Sequence, residues 1–189
     1  MQATSGTACP GQSFRGPICA WLRHSRTNRS TPSLPLLQAL NVKTMNINWT
    51  ELESCGGRAD ASEIPRAIDL LFSSIKSERE KGYWGIDNHA VVQSDLYSSA
   101  PYAARAIVDR FLDEQVITFE LVNIFFELHN GYGPQILEIG PLAGQSLDSL
   151  CKGIVRESEP LLSKQLNTLE PELAEEVISL IEAFNEPNI

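Results

Sequence analysis

Asp87, His89 and Asp95 fall within about nine residues of one another and join two carboxylates to an imidazole, side chains that hold a metal ion or activate a water. A metal enzyme or hydrolase centred on His89 and Asp87 is therefore the catalytic reading to test. It has a single histidine and no ordered ligand spacing. A histidine closing the C-terminal end of a helix, where its charge meets the helix dipole, accounts for His89 more simply. Glu127 and His129 stand two residues apart, on different sides of a helix, and do not ligate one ion together. Ser98-Ser99 reads as a helix cap, and the Gly-Pro-Leu-Ala-Gly run at 140–144 lacks the Lys-Ser/Thr pair of a phosphate loop. No catalytic residue, metal ligand or cofactor site is assigned.

Aromatic side chains offer a different chemistry. Tyr83, Trp84, Tyr97, Tyr102 and Tyr132 lie in or beside expected inter-helix loops. Rings there either plug the ends of a helical stack or anchor a partner, since they supply large contact area with few rotors. Tyr83, Trp84, Asp87, His89, Asp95, Tyr97 and Tyr132 together form the candidate partner-binding set.

Charge narrows what that partner is. The chain has 189 residues, 42% hydrophobic, and a net charge of −9. Residues 1–44 contain no Asp or Glu and carry five of the 15 bases (Arg15, Arg23, Arg26, Arg29, Lys43), which leaves ten bases against all 24 acids in residues 45–189. Phosphate backbones repel such a surface, so nucleic acid is excluded as a partner and a basic protein is favoured. No apolar run is long enough to span a membrane.

Residues 1–44 are rich in Ser, Thr, Pro, Gly and Arg, with apolar residues in short clumps, and are expected to be disordered. Met45 stands where the composition changes. The simplest expectation is that translation of the folded protein begins there and the upstream stretch is an artefact; the alternative is a solvated natural tail. Residues 45–189 form the expected folded domain. It holds Cys55 and Cys151 with no Cys/His metal spacing, which reads as a reducing, cytoplasmic environment.

Helix signals run through that domain. Trp49 and Leu52 form one turn ended by Cys55-Gly56-Gly57. Ser62 caps a helix to about Ile75, with Ile64, Ile68, Leu71, Phe72 and Ile75 on one face. Ser77 and Glu80 form a capping box that starts the next helix at about Glu78, weakened by Gly82 and Gly85. A loop covers residues 91–98, then Ser99 caps a helix with Pro101 in its first turn. Thr118 begins a helix apolar nearly all round, expected at the centre of the domain and closed by His129-Asn130-Gly131 in a left-handed cap. Leu147, Leu150, Cys151, Ile154 and Val155 share a further face, Pro160 kinks the chain, and Glu170-Pro171-Glu172 opens the last helix. Only residues 136–139 alternate as a strand would.

No pair of these helices buries all of its apolar surface alone, and the pair period from Ser62 to Ser99 is about 37 residues, near known helical-repeat lengths. The expected fold is all-α, a right-handed α–α superhelix of about three helical hairpins, with a closed bundle as the alternative.

Pro160-Leu161-Leu162 followed by Leu169-Glu170-Pro171-Glu172-Leu173 resembles the HEAT-repeat pattern. Trp84, Asn88-His89, Tyr97 and Ala100-Pro101 are similar to a bacterial HEAT-like family. The resemblance covers about residues 49–185 and departs from the pattern at the glycines around Trp84 and in the Gly/Pro-rich 131–144 connection. It implies a protein-binding scaffold, a class that includes immunity partners of secreted toxins. HEAT-like hydroxylases hold iron with His-Glu pairs, which this chain lacks; HEAT-like DNA glycosylases need a cationic groove, which the acidic balance opposes.

Overall fold

The computed structural model describes residues 47–55, 58–138 and 142–186. The expectations for residues 1–44 and Met45, for Gly56-Gly57 and for Ile139 fall outside them. Among the described residues the chain is mostly helical: β1 (Glu53–Ser54), β2 (Arg58–Ala59), α1 (Ile64–Leu71), α2 (Lys76–Ala90), β3 (Val91–Val92), β4 (Asp95–Leu96), α3 (Ala100–Glu114), α4 (Phe119–Asn130), α5 (Leu147–Arg156), α6 (Glu159–Gln165) and α7 (Pro171–Asn185). A 3-10 turn at Trp49–Glu51 precedes them, as the sequence predicts. No helix among the described residues is long and apolar enough to cross a membrane.

Ile64, Ile68 and Leu71 enter the core as their spacing requires, but α1 stops at Leu71. Ile75, expected on the same face, is instead exposed and stands just before α2. Ser73 is the reason. Its hydroxyl donates to the Glu78 carboxylate at 2.5 Å and accepts the Ile75 N–H at 3.1 Å, while Arg79 donates to the Ser73 and Ser74 carbonyls at 3.3 and 3.2 Å. Side chains that bond locally to the backbone compete with helix continuation. With the turn closed there, α2 begins at Lys76, not Glu78, and Ser77 lies inside its first turn without capping it.

Gly82 and Gly85 are the places where α2 lies directly on α1. A Cβ on Gly82 would meet the Leu71 nitrogen at 2.3 Å and the Ala67 oxygen at 2.7 Å, and one on Gly85 would meet the Ala67 Cβ at 2.7 Å. The two residues that lower helix propensity thus permit the close approach of α2 to α1.

The expected loop at 91–98 contains a hairpin in which Val91 pairs with Leu96 and Val92 with Asp95. Gln93 and Ser94 at its tip have φ of 52° and 68°, the positive values a type I′ turn requires. Tyr132 joins its edge, donating its N–H to the Ser94 carbonyl at 2.6 Å and accepting from the Leu96 N–H at 2.9 Å. That approach needs a glycine before it, because a Cβ on Gly131 would meet Leu96 Cδ2 at 2.5 Å. Gly131 is extended, at φ −62° and ψ 148°, so α4 ends without the expected left-handed cap.

α4 lies at the centre. Thr118 Oγ1 accepts the Leu121 N–H at 3.3 Å and caps it. From there it packs on α2, α3, α5 and α7, burying Leu121, Val122, Ile124, Phe125 and Leu128. Phe125 meets Phe111 of α3 edge-on with centroids 5.8 Å apart, and the His129 ring lies 5.0 Å from that of Phe184 on α7. Elsewhere α1 packs on α2 and α3, α3 on α5, and α7 on α6. The apolar face of α5 is buried and proline stands in the first turn of α3 and α7, as the sequence predicts, while Pro160, expected to kink the chain, stands in the first turn of a separate helix, α6. Ile136 makes an isolated bridge to Ser146 and no named strand.

Candidate functional site

Arg79, Tyr83 and Asp87 recur every four residues along α2, so they share one stripe, and their partners show that this stripe faces α4. At one end Arg79 Nε donates to Glu120 Oε2 at 3.0 Å, with side chains 18% and 10% exposed. At the other end stand two half-buried carboxyls, Asp87 and Glu127, with Tyr83 beside them. Burial raises the pKa of both acids, and the charge of Asp87 raises that of Glu127, the more deeply buried one, further. Burial first, then the charges of Asp87 and Glu127, push the Tyr83 hydroxyl up to about 12. Among the described residues neither carboxyl belongs to an ion pair.

Trp84 stands next to this stripe and is 57% exposed. Its ring meets that of Tyr83 nearly at right angles (78°) with centroids 5.0 Å apart, and Asn88 Nδ2 donates to its carbonyl at 2.7 Å. An uncovered indole thus sits beside two carboxyls that lack a counter-charge. The chemistry such a surface accepts is that of a cation on an apolar stem.

His89 is elsewhere. It lies two positions from Asp87, and its Nδ1 stands 3.5 Å from Ser54 Oγ, at the outer limit of a hydrogen bond. Its carbonyl accepts the Cys55 N–H at 3.2 Å. The Asp60 carboxyl, held below its usual range chiefly by hydrogen bonds from Ser62, also feels the charge of His89. Asp87 and His89 therefore have different neighbours and do not form one centre. Among the described residues no group of three or more His, Cys, Asp and Glu converges on a metal position.

Of the other candidates, Asp95 and Tyr132 meet through their backbones at the hairpin edge, where Tyr132 is 46% exposed. Tyr97 is half-buried, with its N–H donated to the Ala90 carbonyl at 3.1 Å. The structure thus brings together Tyr83, Trp84 and Asp87, pairs Asp95 with Tyr132, and leaves His89 and Tyr97 in packing positions. It adds Glu127, whose signal is that Asn123, Glu127 and Asn130 trace a polar i, i+4, i+7 stripe on an otherwise apolar helix.

The hollow beside Leu71, Phe72, Arg79, Val116 and Leu121 has a volume of about 10 Å³. That is room for one water, against about 300–1,000 Å³ for a small-molecule cleft. On the solvent side of α7 and its C-terminal cap, Glu172, Glu175, Glu176, Glu182 and Glu186 are all exposed, and α7 contains no Lys or Arg. Comparison with known proteins returns no matching family model, curated protein or solved structure.

Proposed function

We propose that this chain is a noncatalytic protein-binding module that docks a basic partner protein on the outer surface of α2 and α4. The observation that carries the reading is the exposed Trp84, packed on Tyr83, beside the uncompensated carboxyls of Asp87 and Glu127. The acid excess of residues 45–189 gives the approach of a basic protein a favourable field.

The packing supports a HEAT-like stack, the right-handed superhelix of about three hairpins read from the sequence. One row runs α1, α3, α5 and the other α2, α4, α7, each helix touching the next in its row. Arg79 meets Glu120 near the starts of α2 and α4, and Asp87 neighbours Glu127 near their ends, so the two helices run parallel, as equivalent helices of stacked hairpins do. Within that class, a toxin held inactive is the partner to which the resemblance to immunity proteins points. A reducing, cytoplasmic setting fits the free Cys55 and the buried Cys151, whose thiol pKa burial raises.

The test is a titration of the full chain with a labelled octa-arginine peptide, read by fluorescence anisotropy at rising salt. Binding is expected to weaken with salt and to fall about tenfold, roughly 1.4 kcal/mol, in Trp84→Ala and in Asp87→Asn/Glu127→Gln. Binding that ignores these substitutions moves the partner to another surface and ends the reading. Metal analysis of the purified protein together with His89→Ala tests the hydrolase alternative, which requires stoichiometric metal and a lost activity.

A further inference from the structure

His129 stands in the last turn of α4 and is only 8% exposed. Its ring lies 5.0 Å from that of Phe184, the buried aromatic at the end of α7, and its Nδ1 is 3.2 Å from Asn130 Oδ1. We propose that α7 is an acid-released helix: a second proton on the His129 ring frees α7 from α4 before the rest of the fold opens. Release uncovers the apolar face that carries Leu173, Val177, Leu180 and Phe184.

Two observations carry it. The first is what surrounds the ring. Burial is the largest effect against a charge there, and Lys152 and Arg156, one turn apart on α5, add to it, outweighing the Asn130 hydrogen bond and Glu186, the cap residue of α7, which favour one. Of the other elements packed on α4, α2 turns Tyr83 and Asp87 towards Glu127, and α3 directs Arg105 to Asp109 and Glu157. The second is how α7 is held. It packs on α4, α6 and the 3-10 turn at Leu166–Thr168 through apolar side chains. Among the described residues no ion pair joins it to another element, and its hydrogen bond to another helix, from Asn185 Nδ2 to Glu159 Oε1, is 3.5 Å long, at the outer limit. A helix held by burial alone, last in the described fold, opens at lower cost than those surrounded on several sides. The released ring takes up a proton below about pH 6.5, which the docked ring resists, so docking weakens as pH falls. Asp87 and Glu127, whose acid response has the opposite sign, lie on the α2 side of α4.

The experiment is hydrogen exchange on the full chain at pH 7 and pH 5.5, read peptide by peptide by mass spectrometry and corrected for the chemical pH dependence of exchange. Protection of α7 is expected to fall by up to about tenfold, the limit set by a free histidine of pKa about 6.5, while α1 and α3 keep theirs. His129→Gln is expected to abolish the difference. Should that substitution loosen α7 at both pH values, Lys152→Gln/Arg156→Gln, which spares the buried ring, is expected to shrink it. Protection lost equally from α1, α3 and α7 overturns local release. An α7 unchanged between the two pH values overturns acid control, and an acid loss undiminished in both variants overturns His129 as the trigger.

Discussion

One seam, between α2 and α4, ends in two different ways. At the Arg79–Glu120 end, acid meets base at 3.0 Å and the guanidinium also closes the turn before α2 through two backbone carbonyls. About 12 Å along the same helix, two turns later, acid meets acid at Asp87 and Glu127. Both ends are partly buried between the same two helices, so burial does not separate them. What separates them is whether each charge finds its complement inside the fold. The first end holds the helices together; at the second, neither carboxyl has an ion-pair partner among the described residues.

The largest expected effect breaks the satisfied end. Glu120→Ala leaves the Arg79 guanidinium without its counter-charge, held only by two backbone carbonyls, and removal of one partner of a largely buried pair is expected to destabilise by about 3 kcal/mol. Urea unfolding reads this as a lower midpoint at unchanged slope. A loss below about 1 kcal/mol would show that the pair behaves as an exposed one and that the two ends differ less than the geometry says.

Next comes the backbone contact that sets where both ends lie. Gly82→Ala pushes a methyl into the main chain of α1 and is expected to lose about 2 kcal/mol, with Gly85→Ala losing less because it meets a side-chain methyl. Propensity alone gives the opposite sign, since alanine favours a helix by about 1 kcal/mol over glycine. A stabilised Gly82→Ala protein would show that α1 and α2 are not held this closely.

Those glycines also mark how far the sequence could be read. Helices announced themselves where apolar spacing agreed with a first-turn proline, as in α3 and α7, or where a clear apolar face stood by itself, as in α5. The end of α1 did not, because Ile75 continues the apolar period while Ser73 closes the chain by local hydrogen bonds that periodicity does not register. The β3–β4 hairpin was hidden for a similar reason. Gln93 and Ser94 adopt positive φ without the Asn-Gly or Asp-Gly that marks such a turn. At the candidate site Tyr83, Trp84 and Asp87 were legible as candidates, the two rings as anchors in or beside loops and Asp87 as a partner of His89 and Asp95, but not as one group. Glu127 was not, since its role depends on which helix lies across the seam, a fact of tertiary packing.

A smaller effect, with the opposite sign, sharpens the comparison at the unsatisfied end. Glu127→Gln removes one of two repelling charges from a half-buried site and is expected to stabilise the domain by about 0.5 kcal/mol at neutral pH, a magnitude held down by solvent screening. The same change is expected to weaken binding of a cationic peptide. Stability and binding moving in opposite directions is the signature of charge kept for a partner; a loss of both would make Glu127 an ordinary structural residue.

The smallest and most discriminating effect is in the pH profile. The raised pKa values of Asp87 and Glu127 mean that the folded chain binds protons more tightly than the unfolded one just above the ordinary carboxylate range. Their penalty is therefore fully present at neutral pH and is relieved as pH falls through the folded values. His129 acts in the other direction. Its pKa is lowered, chiefly by burial, so the unfolded chain takes the proton first and stability is lost as pH falls below about 6.5 towards the folded value. Native protein should first lose stability on acidification and then recover part of it, whereas Glu127→Gln should keep the loss and give up the share of the recovery that Glu127 supplies, leaving that of Asp87. Melts at half-unit pH steps separate the two profiles. Identical profiles would mean that solvent already satisfies the Asp87 end, leaving no electrostatic reason for a cation to dock there.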